Sequence, residues 1–171
     1  MFVPIRPEET EENVFSLIGQ DWMLLTASKD DGSFNSMTAS WGGLGILWGK
    51  PVCFCYIRPQ RYTHEFSEAG TRMTACFFAP EYRKALAFCG KESGRHVDKA
   101  KACGLTPVRH TGGYVYYNEA RLVLCLRKLY TDRIRPEGFA DPALLSHYAA
   151  ADFHTVYVYE IEQILRAEDE A

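Results

Sequence analysis

The segment Asn35-Ser36-Met37-Thr38-Ala39-Ser40-Trp41-Gly42-Gly43 combines hydroxyl groups, an amide, an indole and two glycines at the end of a predicted β-strand. Side chains alternate between the two faces of a strand. Every second residue from Met37 to Trp41 is therefore predicted to face one way, with Thr38 and Ser40 facing the other. One face is apolar and the other donates hydrogen bonds, as a flat and partly polar ligand requires.

A second segment, Arg58-Pro59-Gln60-Arg61-Tyr62-Thr63, follows the predicted strand Val52–Ile57. The proline keeps the residue before it extended, which places Arg58 at the exit of that strand. Arg58 and Arg61 can each give a phosphate two parallel charge-assisted hydrogen bonds. Thr63 is predicted to cap a helix over residues 63–69, whose free N–H groups would face an anion. Together, the two segments predict a site for a phosphate joined to an aromatic ring.

Each of these residues taken alone has a simpler interpretation. Arginine pairs are most often solvated, and Met37 and Trp41 alone are typical core residues. The combination in this order favours a binding site. The glycines do not form the dinucleotide-binding pattern G-x-G-x-x-G, because the sixth position counted from Gly43 is Trp48.

The composition indicates one globular domain over residues 1–171. The chain has 171 residues, 47% of them hydrophobic and 24% charged, which suits one well-buried core. Its net charge of -3 and pI of about 6.0 give no basic field for nucleic acid or an acidic membrane. Small neutral or anionic ligands are the partners that this charge favours.

Nothing in the sequence marks the protein for export or for a membrane. The first residues lack the apolar region of a signal peptide, and acidic residues follow them. The longest apolar run, residues 44–57, is interrupted at Gly49, Lys50 and Pro51 and is too short to span a bilayer. We therefore expect a soluble, cytoplasmic protein.

The six cysteines contain no C-x-x-C pair and no nearby Cys/His cluster, so no metal site is predicted. Most of them are expected to be reduced, buried residues. Cys53 and Cys55 should share one face of a strand. Cys89 is the exception, because Cys89-Gly90-Lys91-Glu92-Ser93-Gly94 is predicted as a polar loop.

Hydrophobic patterning predicts many strands and few helices. Helices are predicted at Glu8–Ile18, Glu81–Phe88 and Val97–Cys103, the last of them ended by Gly104. Strands are predicted at Met23–Ser28, Ser36–Trp41, Val52–Ile57, Arg72–Phe78, Gly113–Tyr117, Ala120–Tyr130 and Thr155–Ile164. This order favours a mainly β protein, a closed antiparallel barrel with flanking helices.

Five tyrosines in the last third of the chain are predicted to help seal a subunit interface. They are Tyr114, Tyr116, Tyr117, Tyr157 and Tyr159.

The two opening segments, together with residues 89–99, resemble the flavin reductase-like, FMN-binding split-barrel family, especially its flavoredoxin-like branch. The resemblance implies a six-stranded antiparallel split β-barrel, a homodimer, and FMN at or near the subunit interface. It also implies that the segment N-x-M-T-A-S-W follows the flavin ring and ribityl chain, and that R-P-x-R-x-T approaches the phosphate. The cofactor-binding residues so implied are Asn35, Met37, Thr38, Ala39, Ser40, Trp41, Arg58, Arg61, Tyr62, Thr63, Cys89, Gly90, Ser93 and Lys99.

Two further motifs extend the resemblance. Ser93-Gly94-Arg95-His96-Val97-Asp98-Lys99 is similar to the family's S-G-R-x-x-D-K, in which Lys99 would add charge at the phosphate or beside a reduced flavin. Asp152-Phe153-His154 is similar to a D-H pattern that implies a catalytic His154 near the flavin and nicotinamide. Phe153 interrupts that pair, and Tyr159 replaces a glycine, which puts direct use of NAD(P)H in question.

Two functions are consistent with these residues. The first is an FMN-dependent oxidoreductase that receives electrons or hydride from NAD(P)H or from a redox-protein partner. The second is a non-enzymatic barrel that carries flavin or senses it, because a fold alone does not determine a function.

Overall fold

Ten β-strands and four α-helices make up the computed structural model, which describes residues 1–168. The strands are β1 (Phe2–Ile5), β2 (Met23–Ser28), β3 (Phe34–Ala39), β4 (Gly42–Leu47), β5 (Lys50–Ile57), β6 (Arg72–Phe77), β7 (Pro107–His110), β8 (Tyr114–Tyr117), β9 (Leu122–Arg133) and β10 (Thr155–Ala167). The helices are α1 (Val14–Ser16), α2 (Tyr62–Ala69), α3 (Arg83–Lys91) and α4 (Lys99–Cys103). Short 3-10 turns lie at Pro7–Glu9, Pro80–Tyr82, Pro136–Gly138 and Pro142–Tyr148, and a π-helical turn lies at Leu17–Asp21.

The main sheet is antiparallel, with strands in the order β3-β2-β6-β9-β10-β5-β4 and β1 beside β10. This mainly β architecture with flanking helices confirms the predicted split-barrel class. The predicted closure of the barrel is wrong, because β3 and β4 do not pair with each other in the described sheet, which stays open along that edge. The main sheet contains eight strands of the described chain, against six predicted. The two additional strands are β1 and the glycine-rich β4. Strands β7 and β8 form a separate hairpin.

Two turns fix the hairpins on either side of the site. In the β2–β3 turn, Asp31 Oδ1 accepts a 2.8 Å hydrogen bond from the backbone N–H of Ser33, and Gly32 has a φ of 81°. In the β4–β5 turn, Trp48 and Gly49 both have positive φ values of 54° and 68°. Two successive left-handed residues match the twist of a tight hairpin. Strand β3 is thereby placed at one end of the sheet and β4 at the other.

Apolar side chains form two clusters on the two faces of the sheet. The barrel interior includes Leu25, Met73 and the neighbours Cys53 and Cys55, which share one face of β5 as predicted. The outer cluster lies beneath α3, α4 and the β7–β8 hairpin, and Leu86 belongs to it. Burial of both faces supplies the main driving force for this fold.

The five tyrosines of the last third of the chain belong to these clusters. Each of them is at most 8% exposed within the single chain: Tyr114, Tyr116, Tyr117, Tyr157 and Tyr159. The prediction that they cover a subunit interface is therefore wrong. Their rings fill the protein's own core, and they leave no apolar surface for a partner.

Three helix predictions need correction at their boundaries. The predicted helix Glu8–Ile18 is broken, because the helical turn that begins at Val14 is capped by Asn13, whose Oδ1 accepts bonds from two backbone N–H groups at 3.1 Å. Helix α3 continues to Lys91, so Cys89 lies in a helix and is only 1% exposed, not in a polar loop. Helix α4 begins at Lys99, because the Asp98 carboxylate caps it, and it ends at Gly104 as predicted.

Candidate functional site

An open cavity of about 220 Å³ lies where β3 and β5 end. Its lining consists of Met37, Thr38, Ala39, Ser40, Trp41, Tyr56, Arg58, Arg61 and His154. All of these residues except Tyr56 belong to the set predicted from sequence. The fold therefore brings the two opening segments and the C-terminal histidine to one place.

Strand β3 supplies one wall of the cavity and is an edge strand that pairs with β2 alone in the described sheet. Met37 and Ala39 face the barrel interior, whereas the Thr38 hydroxyl donates a 2.6 Å hydrogen bond to the carbonyl of Leu86. An edge strand keeps backbone N–H and C=O groups that no neighbouring strand pairs. Apart from the Ser36 carbonyl, which accepts a hydrogen bond from Lys99, these groups can meet the edge of a flat ligand.

Trp41 lies beyond the end of β3 rather than within it. The strand ends at Ala39, so Trp41 leaves the predicted alternation and is 45% exposed. Its ring centroid is 5.6 Å from that of His147 and 5.3 Å from that of His154. The prediction that Trp41 faces the same way as Met37 is wrong, because the chain turns after Ala39 to begin β4. The indole instead forms an aromatic rim of the cavity.

Arg58 is held by the segment that precedes β10. Its guanidinium donates to the Asp152 carboxylate and, at 2.9 Å, to the carbonyl of His147. It also lies 5.1 Å from the ring centroid of Tyr148. The hydrogen bond from Arg58, with a second from Gln60, lowers the pKa of Asp152. The charge of Arg58 is therefore partly neutralised, and its side chain is fixed at the cavity.

Arg61 is the less compensated cation of the pair. Its guanidinium donates a long 3.4 Å bond to the carbonyl of Cys89 and forms no ion pair with a carboxylate of residues 1–168. Burial lowers the pKa of Arg61, although an arginine remains protonated at neutral pH. This unpaired positive charge would favour an anionic ligand.

Helix α2 starts one residue earlier than predicted. Arg61 occupies the cap position without a capping side-chain bond, and Thr63 lies inside the helix. The Thr63 hydroxyl accepts a 2.7 Å hydrogen bond from Asn35 Nδ2 instead of capping backbone N–H groups. The predicted capping role of Thr63 is wrong, and its role here is to join α2 to β3.

His154 is buried and neutral at physiological pH. Burial, with the nearby positive charge of Arg58, lowers the pKa of His154 to about 4. Its Nδ1 lies 2.9 Å from the Tyr148 hydroxyl. Burial raises the pKa of Tyr148, so the phenol keeps its proton and can donate to Nδ1. This arrangement leaves Nε2 as the N–H donor of the ring.

This charge state gives a testable pH dependence. The unfolded chain binds a proton at the ordinary histidine pKa of about 6.5, whereas folded His154 binds one only near pH 4. The free energy of unfolding should therefore decrease as the pH falls from about 6.5 to 4, by about 2 kcal/mol more in the wild type than in His154→Gln. Denaturant unfolding at several pH values measures this difference. A His154 imidazole that titrates near pH 6.5 by NMR in the folded protein would contradict this prediction.

Other predicted residues lie outside the cavity lining. Lys99 is only 7% exposed, and its Nζ donates to the carbonyls of Ser36 at 2.8 Å and Cys89 at 2.9 Å. Burial lowers its pKa to about 8. Lys99 and Asn35 border a neighbouring polar cavity of about 330 Å³. Lys99 therefore connects β3, α3 and α4.

The loop before α4 contacts Asn35 closely. A β-carbon at Gly94 would lie 1.8 Å from Asn35 Oδ1, so a larger residue would displace that amide. The Ser93 hydroxyl accepts a 3.3 Å bond from the backbone N–H of Arg95, whose guanidinium lies 4.6 Å from the ring centroid of Tyr62. A β-carbon at Gly90 would only make ordinary contact with Thr38, at 3.5 Å. These residues hold β3 and α2 in position.

Two residues of the site were not predicted from the sequence. Tyr56 lies on β5 between the buried residues Cys55 and Ile57, so strict alternation places it on the opposite face. That signal was available in the sequence. Tyr148 belongs to a short 3-10 turn in an irregular segment, and its approach to His154 depends on the path of that segment. No local pattern indicated it.

Residues 1–168 contain neither a metal-binding cluster nor a membrane-spanning helix. No group of three or more His, Cys, Asp or Glu side chains is arranged there to bind a metal ion. The helices of this part of the chain are all too short or too polar to cross a bilayer.

Comparison with known proteins gives a family match and a fold match. The model of the flavin reductase like domain family matches residues 15–171. No curated protein matches the chain in sequence.

Three solved structures illustrate the fold match. The flavoredoxin of Desulfovibrio vulgaris (Miyazaki F) has a TM-score of 0.69 and 19% identity, over 96% of this chain and 78% of that one. An FMN-binding protein from Thermus thermophilus, with bound p-hydroxybenzaldehyde, has a TM-score of 0.67 and 18% identity, over 96% of this chain and 83% of that one. The NADH:FAD oxidoreductase of Streptomyces globisporus C-1027, in complex with NAD and FAD fragments, has a TM-score of 0.63 and 14% identity, over 86% of this chain and 74% of that one.

Proposed function

This chain belongs to the flavin reductase-like domain family, and we propose that it is an oxidoreductase that binds FMN in the cavity between β3, β5 and His154. The observation that carries this proposal is the lining of that cavity. Two guanidinium groups, an edge strand and an aromatic rim meet there in one open space. This is the set of groups that a phosphate joined to an aromatic ring system requires.

The donors of the cavity fit FMN by their chemistry. Arg61 offers an uncompensated positive charge, and Arg58 offers N–H groups in a fixed orientation. A terminal phosphate carries up to two negative charges at neutral pH, which suits such a pair. The hydroxyl of Ser40 and the free edge of β3 are suited to the polar edge of the ring. We prefer FMN to FAD because the phosphate of FMN is terminal and carries up to two charges on one group, whereas each phosphate of FAD carries one.

The bound flavin would supply the electron or hydride transfer, and the protein would supply orientation and charge control. Trp41 and Tyr56 would cover part of the ring and exclude water from it. His154 would act as a neutral N–H donor through Nε2, rather than as an acid, because its pKa of about 4 leaves it unprotonated at pH 7. Tyr148 would hold that tautomer.

NAD(P)H is the electron donor that we propose first, with a redox protein as the other candidate. Two departures from the family pattern were the reasons to question NAD(P)H, the interruption of the D-H pair by Phe153 and the replacement of a glycine by Tyr159. The ring of Phe153 stacks on that of Tyr148, with 4.7 Å between centroids, and does not line the cavity. Tyr159 is 1% exposed and belongs to the barrel interior, so its ring does not line the cavity. Access of a nicotinamide to the open side of the cavity is therefore not restricted by this residue.

Anaerobic reduction tests the proposed function. The purified protein is loaded with FMN and mixed with NADH or NADPH while the flavin absorbance is followed. Bleaching by either nucleotide supports the oxidoreductase. Bleaching by dithionite alone would favour the alternative, a barrel that carries or senses flavin, or one reduced by a protein partner. Chromatography of the chromophore released from the protein as purified, before FMN is added, distinguishes FMN from FAD.

We also propose that the protein is a homodimer. Three exposed apolar side chains support this: Phe15 is 89% exposed, Ile46 73% and Trp48 60%, and Ile46 borders an apolar cleft of about 270 Å³. Large apolar side chains exposed beside an apolar cleft favour an interaction surface.

Light scattering at micromolar concentration should give twice the chain mass of 19.4 kDa. Ile46→Lys should shift the mass toward that of one chain, whereas the same change at Leu144, which is 46% exposed and does not line this cleft, should not. A wild type that scatters as a single chain would contradict the proposal.

A further inference from the structure

Two thiols lie next to each other where α3 packs against α4. The sulfur atoms of Cys89 and Cys103 are 3.9 Å apart. Cys103 Sγ also lies 3.8 Å from the carbonyl oxygen of Ala85, one helical turn before Cys89. Both contacts direct Cys103 onto the same face of α3. We propose that Cys89 and Cys103 form a reversible redox site that closes to a disulfide under hydrogen peroxide.

The geometry is close to that of a disulfide. An S–S bond is about 2.0 Å long, so the two sulfur atoms must approach each other by about 2 Å. Rotation about the Cα–Cβ bonds and a small shift of α4 supply this movement. Helix α4 has only 5 residues and ends at Gly104, which makes it easier to displace than a strand of the barrel.

The two thiols have different exposure and therefore different roles. Cys89 is 1% exposed, and burial raises its pKa to about 12, with the nearby Lys99 acting in the opposite direction. Cys103 is half-buried and meets solvent first. Peroxide reacts with the thiolate form of an accessible cysteine. Cys103 is therefore the residue that meets the peroxide, and Cys89 is the one that resolves the product.

The chemistry balances with one molecule of peroxide. The Cys103 thiolate attacks one peroxide oxygen, which forms an S–O bond, breaks the O–O bond and releases hydroxide. The Cys89 sulfur then attacks the Cys103 sulfenic acid, which forms the S–S bond and breaks the S–O bond. The hydroxide that leaves the Cys103 sulfur takes the proton of Cys89 and forms one water. The hydroxide released in the first step takes the proton that Cys103 lost and forms the second. In sum, two thiols and one hydrogen peroxide give one disulfide and two waters.

A second close pair in the same protein provides an internal comparison. The sulfur atoms of Cys53 and Cys55 are 3.7 Å apart, and both residues are 0% exposed in the barrel interior. They are separated by one residue on a single strand. The extended backbone of that strand holds their α-carbons about 6.7 Å apart, near the upper limit for a disulfide. Peroxide also has no path to them. Proximity alone would predict this pair, whereas accessibility and the freedom of α4 predict Cys89 and Cys103.

The disulfide would lie beside the proposed flavin site. The carbonyl of Cys89 accepts hydrogen bonds from Lys99 and from Arg61, and Lys99 also holds the carbonyl of Ser36 on β3. A disulfide between α3 and α4 would hold the Cys89 carbonyl of α3 and the Lys99 side chain of α4 in position relative to each other. Resting on the proposed function, we expect the oxidised protein to release flavin more slowly than the reduced one.

Peptide mapping tests the site itself. The FMN-loaded protein is treated with hydrogen peroxide, alkylated without reduction and digested for mass spectrometry. The expected result is one disulfide between the peptides of Cys89 and Cys103, reversed by dithiothreitol. Cys103→Ala should abolish it, and Cys125→Ala, a core cysteine, should leave it unchanged. A disulfide at Cys53 and Cys55, or a Cys103 sulfinic acid without any disulfide, would overturn the proposal.

Flavin release tests the link to the cavity. Flavin is followed by fluorescence after dilution of the oxidised and the reduced protein. Several-fold slower release in the oxidised wild type, with no peroxide effect in Cys103→Ala, supports the link. An equal rate in both forms would overturn it. A protein that binds no flavin would refute the proposed function, while the mapping result would stand on its own.

Discussion

Replacement of Arg61 by alanine is expected to weaken flavin binding by about ten- to a hundredfold and to leave the fold intact. A charge-assisted hydrogen bond contributes about 1.5 to 3 kcal/mol, which corresponds to that change in affinity. Arg61 forms no ion pair with a carboxylate of residues 1–168, and its one side-chain bond, to the Cys89 carbonyl, is 3.4 Å long. Its charge is therefore available to a phosphate, and few protein contacts depend on it.

Arg58 provides the comparison for this prediction. Its guanidinium bonds to Asp152 and to the His147 carbonyl, so Arg58→Ala should reduce both flavin affinity and the stability of the segment that carries His154. Arg61→Lys keeps the charge but loses the planar fork, and an intermediate affinity is expected. Flavin titrations followed by fluorescence, with denaturant unfolding of each variant, separate these effects. Unchanged affinity in Arg61→Ala would refute its assignment to the phosphate.

Much of the fold could be predicted because strands that bury one face carry a clear pattern. All seven predicted strands are present, six of them in the main sheet, and β2 has the predicted ends, Met23 and Ser28. Strand β4 was not predicted, since its glycines have low strand propensity. One of them is required by contact: a β-carbon at Gly42 would lie 3.0 Å from the Phe54 carbonyl and 2.8 Å from Met23 Cε. Such a constraint comes from the neighbouring strand and is absent from local sequence.

The cavity was predicted more completely than the contacts within it. Residue types and order in two segments identified most of its lining. They could not show that Asp152 binds Arg58 or that Tyr148 binds His154, because these contacts join residues 94 and 6 positions apart through an irregular segment. They also could not show that Lys99 donates to two backbone carbonyls. Partner choice among charged groups depends on tertiary distances.

The aromatic rim suggests how the site would orient a bound flavin and at the same time quench its fluorescence. Trp41 is 45% exposed and contacts His154, which is itself held by Tyr148. An indole beside a flavin ring excludes water from it and can donate an electron to the excited ring. The same contact that orients the ring would therefore quench its fluorescence. This connection makes fluorescence a direct measure of where Trp41 lies.

Trp41→Leu is expected to restore flavin fluorescence and to weaken flavin binding by about 0.5 to 1.5 kcal/mol, the size of an aromatic contact. Folding should be nearly unaffected, because the indole is 45% exposed and lies beyond the end of β3. Loss of a fully buried aromatic side chain would instead cost about 3 to 5 kcal/mol. Emission of the bound flavin and the unfolding free energy, measured on the same samples, distinguish a rim position from a core position.

Trp48→Leu is the matched control, since Trp48 is 60% exposed and does not line the cavity. Trp22→Leu is a second control, because that indole packs under Arg83 with 3.2 Å between the guanidinium carbon and the ring centroid. In both variants the bound flavin should be as weakly fluorescent as it is in the wild type. If either control recovered more fluorescence than Trp41→Leu, the flavin would have to lie outside the cavity proposed here. If none recovered any, Trp41 would not contact the ring, and the edge of β3 with the arginines would have to hold it without an aromatic cover.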